Sequence, residues 1–129
     1  MEHITIPAQI DKLDVLQDFI SALIPDEKVL NNVLIATEEI FVNIAHYAYT
    51  PDSGDVFIEA DIKPDKIILE FRDSGKPYDP VSKTDPDTSL SAEERDIGGL
   101  GIFMVKKLMD EVRYEYRDGE NCLTVVKNI

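Results

Sequence analysis

The stretch DVFIEADIKPDKIILEFRDSG, residues 55–75, decides the kind of fold. Val56, Ile58, Ala60 and Ile62 alternate with Phe57, Glu59 and Asp61, the period of two that sets one face of a strand against a core. Lys63-Pro64-Asp65-Lys66 reads as a turn and residues 67–72 as a second apolar run, so the segment is a hairpin. It ends on Asp73-Ser74-Gly75. A carboxylate there stands at the tip of an apolar strand, and the missing side chain of Gly75 lets a flat ring approach the backbone. Asp-Ser-Gly is also ordinary turn chemistry, and alone it says no more than that.

Upstream the period is helical. Val29-Leu30, Val33-Leu34, Thr37, Ile40-Phe41, Ile44-Ala45 and Ala48 keep an apolar stripe, Asp26 is placed to cap it, and residues 50–54 break it. Glu39 and Asn43 are one turn apart and can reach a common object. At about 100° per residue, Asn32, Glu39, Asn43 and His46 form one narrow polar stripe, flanked by Val33, Thr37, Ile40 and Ile44 on one side and Ile35 and Val42 on the other. If both flanks are buried, an unsatisfied polar group costs about 1–3 kcal/mol, so a ligand, metal or water belongs against the stripe. On a solvated face the same spacing is commonplace. Before this helix, residues 10–24 carry an amphipathic helix closed by Pro25, and residues 3–7 a short strand ended by Pro7.

Downstream of the hairpin, residues 79–97 hold Pro80, Pro86 and several acids with few apolar anchors, and they read as a lid. Gly98-Gly99-Leu100-Gly101 then opens a helix over residues 102–109. Free N–H groups and the positive helix end at such a junction can cradle phosphate. The cluster lacks the Gly-Lys-Ser/Thr ending of a P-loop and the preceding parallel strand of a dinucleotide fold, and a mobile hinge is its other reading. Residues 112–116 and 122–126 flank a turn at residues 118–121 and make a closing hairpin. This order of elements predicts one domain over residues 1–129, a two-layer α/β sandwich with helices on one face of a mixed, mainly antiparallel sheet.

With 26 acidic and 13 basic residues, the 129-residue chain has a formal charge of -13. Such a field disfavours direct nucleic-acid contact and favours protein partners with basic surface. No apolar run approaches the ~20 residues of a membrane span, and the start lacks a secretory signal, so a cytoplasmic protein is expected. Cys122 is the single cysteine and reads as inert packing.

Taken together, Glu39-x-x-x-Asn43, Asp73-Ser74-Gly75-Lys76 and Gly99-Leu100-Gly101 resemble the N box and the two glycine boxes of the GHKL superfamily of ATP-binding (Bergerat-fold) domains. Within it, residues 38–49, 73–80 and 98–112 look like the small bacterial anti-sigma-factor serine kinases, the RsbW-like group. The resemblance implies ATP and Mg2+ as ligands. It makes Asn43 the magnesium ligand and Glu39 the general base, while Asp73 reads the adenine amino group with Gly75 beneath the ring and Thr124 adding a water-mediated contact. Gly99, Leu100 and Gly101 would offer N–H groups to the phosphates, and Arg95, or in its place Lys83, would neutralise the γ-phosphate. Implied partners are a STAS-type anti-anti-sigma factor and a sigma factor or similar target, with monomer and homodimer both open.

One departure concerns the residue four places after the asparagine, where relatives often have histidine and this chain has Tyr47, its histidine being His46. Residues 1–129 carry neither a phosphorylatable-histidine dimerisation helix nor the second domain of the topoisomerase relatives, so a sensor histidine kinase or topoisomerase is not expected. An ATP-dependent protein serine/threonine kinase is therefore the first reading, and a nucleotide-dependent binding module without phosphoryl transfer is the alternative.

Overall fold

A computed structural model of the chain describes residues 1–49, 52–81 and 97–129. Five strands form one sheet in the order β1 (Glu2–Pro7), β2 (Asp55–Ile62), β3 (Lys66–Asp73), β5 (Glu120–Asn128), β4 (Glu111–Arg117). All four pairings are antiparallel, so the sheet expected as mixed contains no parallel pair among the described residues. Helices α1 (Leu13–Ser21), α2 (Glu27–Tyr47) and α3 (Ile97–Leu108) complete the two-layer α/β arrangement. The central β2–β3 hairpin buries Val56, Ile58 and Ala60 from one strand and Ile67, Leu69 and Phe71 from the other, as its alternation requires.

Helix α2 is the spine of the helical layer. The Asp26 carboxylate accepts from the Val29 N–H at 3.0 Å and caps its start. Val33, Ala36, Ile40, Phe41 and Ile44 are buried on one face. Fully burying a side chain the size of Phe41 or Ile40 contributes about 1.5–3 kcal/mol, which is why this stripe fixes the helix on the sheet. The polar stripe of Glu39 and Asn43 is not enclosed on both flanks, however, because Ile35 is 41% exposed. It runs along the margin of the buried face instead, which is where a helix borders a cleft.

Three element boundaries differ from the sequence reading. The first helix is split into a 3-10 turn at Ile10–Lys12 and α1, which ends at Ser21. The last hairpin turns on Asp118 and Gly119 alone, both at positive φ (54° and 79°), the type I′ geometry that fits strand twist. Asn121 is thereby part of β5 and not of the turn. Helix α3 starts at Ile97, so Gly98, Gly99 and Gly101 lie within its first turns and do not form a loop in front of it. Of the expected lid, residues 82–96 lie outside the described residues; its first part is anchored, with Pro80 buried and Val81 packed against the core.

Candidate nucleotide site

Asp73 stands at the end of β3 with the parity of Ile67, Leu69 and Phe71, and so faces the helices. It is buried, at 6% exposure. The turn that follows is pinned to the end of α2: the Lys76 N–H donates to the Ala48 carbonyl at 2.9 Å, and a Cβ on Gly75 would collide with that same carbonyl. The missing side chain of Gly75, expected beneath a ring, is thus taken up by close packing of the turn on α2. The Tyr49 hydroxyl adds a second clamp, accepting from the Ser74 N–H and donating to the Asp55 carbonyl, both at 2.7 Å.

Between α2, α3 and the sheet lies a cavity of about 360 Å³. Ile40, Ile44, Ala48, Phe71, Ile102, Val105 and Leu123 make its apolar walls, and Asp73, Asn121, Lys76, Tyr78 and Tyr114 gather around one end. Glu39 and Asn43 line it further up α2. Gly75 and Lys76 hold the turn after Asp73 against Ala48, so Asp73 lies toward the C-terminal end of α2, and Glu39, nine residues before Ala48, lies about 13 Å further up the helix axis from that end. Small-molecule sites commonly pair apolar walls with a few placed polar groups at this size.

At the Asp73 end, Oδ1 accepts from the Gly75 N–H at 3.0 Å and from the Asn121 side-chain amide at 2.9 Å. Burial pushes the Asp73 carboxyl above its ordinary value, and the charge of Glu120 adds to the push; the Asn121 amide and Gly75 N–H pull it back. At the other end α3 begins. Its first N–H groups, at Ile97, Gly98 and Gly99, have no partner within the helix, whereas Leu100 and Gly101 stand where the intrahelical ladder starts. Gly101 packs on Glu39: a Cβ there would lie 2.9 Å from Glu39 Oε2. Gly101, early in α3, thus brings the start of that helix near the part of the cleft that Glu39 and Asn43 line.

This contact gives a test of Glu39's placement. Gly101→Ala meets only the flexible end of a side chain, and alanine favours a helix over glycine by about 1 kcal/mol, so the melting temperature should not fall. The Glu39 carboxylate must then move by a fraction of an ångström, which should lower any γ-phosphoryl transfer by up to about 100-fold, the cost of a full 1 Å misplacement. Thermal melts and label transfer on the same preparation check both halves.

Of the residues expected in the site, Glu39, Asn43 and Asp73 line one cavity, with Gly101 against Glu39 and Gly99 in the first turn of α3. Thr124 is elsewhere. It pairs with Glu70 and Arg113 on the outer face of the sheet, while Leu123 and Val125 take the inward parity. Arg95 and Lys83 lie outside the described residues. Cys122 is buried, and burial pushes its thiol above the ordinary value, in keeping with inert packing. Asn121 was missed by the sequence reading, which placed it in a turn. The signal was its parity: it stands two residues before Leu123 and four before Val125, an amide in an inward row of apolar residues.

The histidine kinase-like ATPase domain family matches residues 6–127 of the chain. The serine-protein kinase RsbW of Listeria monocytogenes is 29% identical over 97 residues, covering 71% of this chain and 62% of that protein. The RsbW of Bacillus cereus is 29% identical over 98 residues, 73% of this chain and 61% of its own length. The serine/threonine-protein kinase BtrW of Bordetella bronchiseptica is 26% identical over 95 residues, 73% of this chain and 67% of the relative. The match to the first of these thus spans about 62% of its length. With a polar pair on α2, a buried strand-end aspartate and a glycine-rich helix start around one cavity, and a family match over residues 6–127, the chain belongs to the histidine kinase-like ATPase domain family.

Proposed function

We propose that the chain binds ATP with Mg2+ in this cavity and transfers the γ-phosphoryl group to a serine or threonine hydroxyl of a small STAS-type antagonist protein, in a partner-switching system that frees or sequesters a sigma factor. One observation carries the reading: a buried carboxylate, Asp73, and a carboxylate–amide pair, Glu39 and Asn43, line one apolar cleft, the pair lying roughly 7 to 13 Å up α2 from the Ala48 end on which the Asp73 turn packs. The base would enter at Asp73, whose free oxygen accepts from a ring amino group. The phosphates would lie toward the start of α3, where N–H groups without partners inside the helix and the helix dipole favour anions.

Among the described residues no group of three or more acidic, histidine or cysteine side chains could hold a metal. Magnesium keeps several waters and binds through one or two protein oxygens plus substrate phosphates, a demand that the Glu39–Asn43 pair lining the cavity can meet. Asn43 would hold it through its side-chain oxygen, and when bound it supplies charge neutralisation at the phosphates. Glu39 accepts the proton of the incoming hydroxyl as that oxygen bonds to the γ-phosphorus and the bond to the bridging oxygen breaks, with ADP as leaving group. The relatives' names, serine-protein kinase and serine/threonine-protein kinase, support the same chemistry.

The test is incubation with γ-labelled ATP and STAS-type proteins of the same cell. Label on a serine or threonine of one of them is expected. A nucleotide-dependent complex without label would replace the kinase by a binding module.

A further inference from the structure

Asp73 and Asn121 are directly opposed across the β3–β5 ladder, so their side chains share the inward face. The Asn121 amide is fully committed. Its Nδ2 donates to Asp73 Oδ1 and to the Lys76 carbonyl, each at 2.9 Å, and its Oδ1 accepts from the Tyr78 N–H at 3.0 Å and from the Tyr114 hydroxyl. Two of these partners are main-chain groups that can act in one sense only, a carbonyl that accepts and an N–H that donates. They fix which way round the amide sits, so an N–H and not an oxygen must face Asp73. Asn121 is buried at 7% exposure and, with two donors and two acceptor sites taken, has nothing left for a ligand.

Asp73 is held in consequence. Both described donors converge on Oδ1, and among the described residues Oδ2 accepts no hydrogen bond. The cavity is therefore offered one carboxylate oxygen in a defined direction. We infer that Asn121 is a positioning residue for base selection: by fixing Asp73 from the opposite strand, and the Lys76–Tyr78 wall through the same amide, it sets the preference for a six-amino purine over a six-oxo purine. The inference rests on the ATP reading above and adds a residue that touches no substrate atom.

Comparing ATP with ITP, which carries oxygen where adenine carries the amino group, isolates this role, because damage to the pocket as a whole weakens both nucleotides alike. Dissociation constants for both, measured by calorimetry with magnesium present, should show wild type preferring ATP. In Asn121→Ala the ATP-to-ITP preference should fall about tenfold, the usual weight of one hydrogen bond to a charged group, chiefly through lost ATP affinity. Tyr114→Phe leaves the ladder and the amide in place and removes only one bond to it; it should lower the preference about two- to threefold, within the range for a neutral hydrogen bond. Should Asn121→Ala fail to fold, Tyr114→Phe decides. Equal weakening of both nucleotides in folded Asn121→Ala, or an unchanged preference in Tyr114→Phe, would overturn the role of Asn121 while leaving ATP binding intact. A wild-type protein that binds ATP and ITP equally overturns it as well, and one that binds neither removes the ATP reading itself.

Discussion

Asp73→Asn is expected to lower ATP affinity by about 100-fold or more with the fold intact. The Asn121 amide and the Gly75 N–H both donate to Oδ1, so an asparagine at 73 must keep its oxygen there. Its NH2 group then replaces Oδ2 and faces the adenine amino group, donor against donor. The loss combines a charge-assisted bond of about 1.5–3 kcal/mol with an unsatisfied donor of about 1–3 kcal/mol. Stability should move the other way. Burial raises the Asp73 carboxyl above its ordinary value, so the ionised form disfavours the folded state at neutral pH, and stability rises as pH falls through the raised value. A neutral amide removes that dependence, and Asp73→Asn should melt no lower than wild type at pH 7. Calorimetric titration and thermal melts check the two parts; wild-type affinity in the folded variant would take Asp73 out of the site.

Glu39→Gln should separate binding from chemistry. The amide keeps the shape of the side chain beside Gly101 but cannot take a proton from an attacking hydroxyl. Losing a positioned base costs about 100- to 10,000-fold in rate, whereas ATP affinity should stay within about threefold of wild type. Label transfer and calorimetry on one preparation are sufficient. Unchanged transfer would exclude Glu39 as the base, and a parallel loss of binding would make it a metal or structural residue.

Much of this was legible in the sequence because the decisive patterns are short and periodic. The alternation from Val56 to Asp73 sets the central hairpin and the inward aim of Asp73, and the spacing of Glu39 and Asn43 puts both on one side of α2. Where the reading failed, the cause lay in tertiary placement. Thr124 and Leu123 differ by one residue, and that single step sends Thr124 to the outer face. Gly75 is explained by Ala48, a residue 27 positions away whose carbonyl fills the space a side chain would need. The glycines of α3 looked like a loop since glycine disfavours helix, but close approach to Glu39 selects a residue without a side chain at 101. Asn121 escaped notice because Asp118-Gly119 is so strong a turn signal that its neighbours were read as turn too. No local pattern announces that two polar residues will meet across a ladder.

In the proposed function, the cleft between α2, the end of β3 and the start of α3 takes ATP with its base at Asp73. The most direct measurement is a titration of 15N-labelled protein with magnesium and ATP, followed by amide chemical shifts. The largest changes are expected at the Gly75 and Tyr78 backbone amides, the Asn121 side-chain amide and Gly101, while Arg113 and Thr124 on the outer face stay in place. Shifts centred on Arg113 and Thr124, or no shifts at saturating nucleotide, would contradict it.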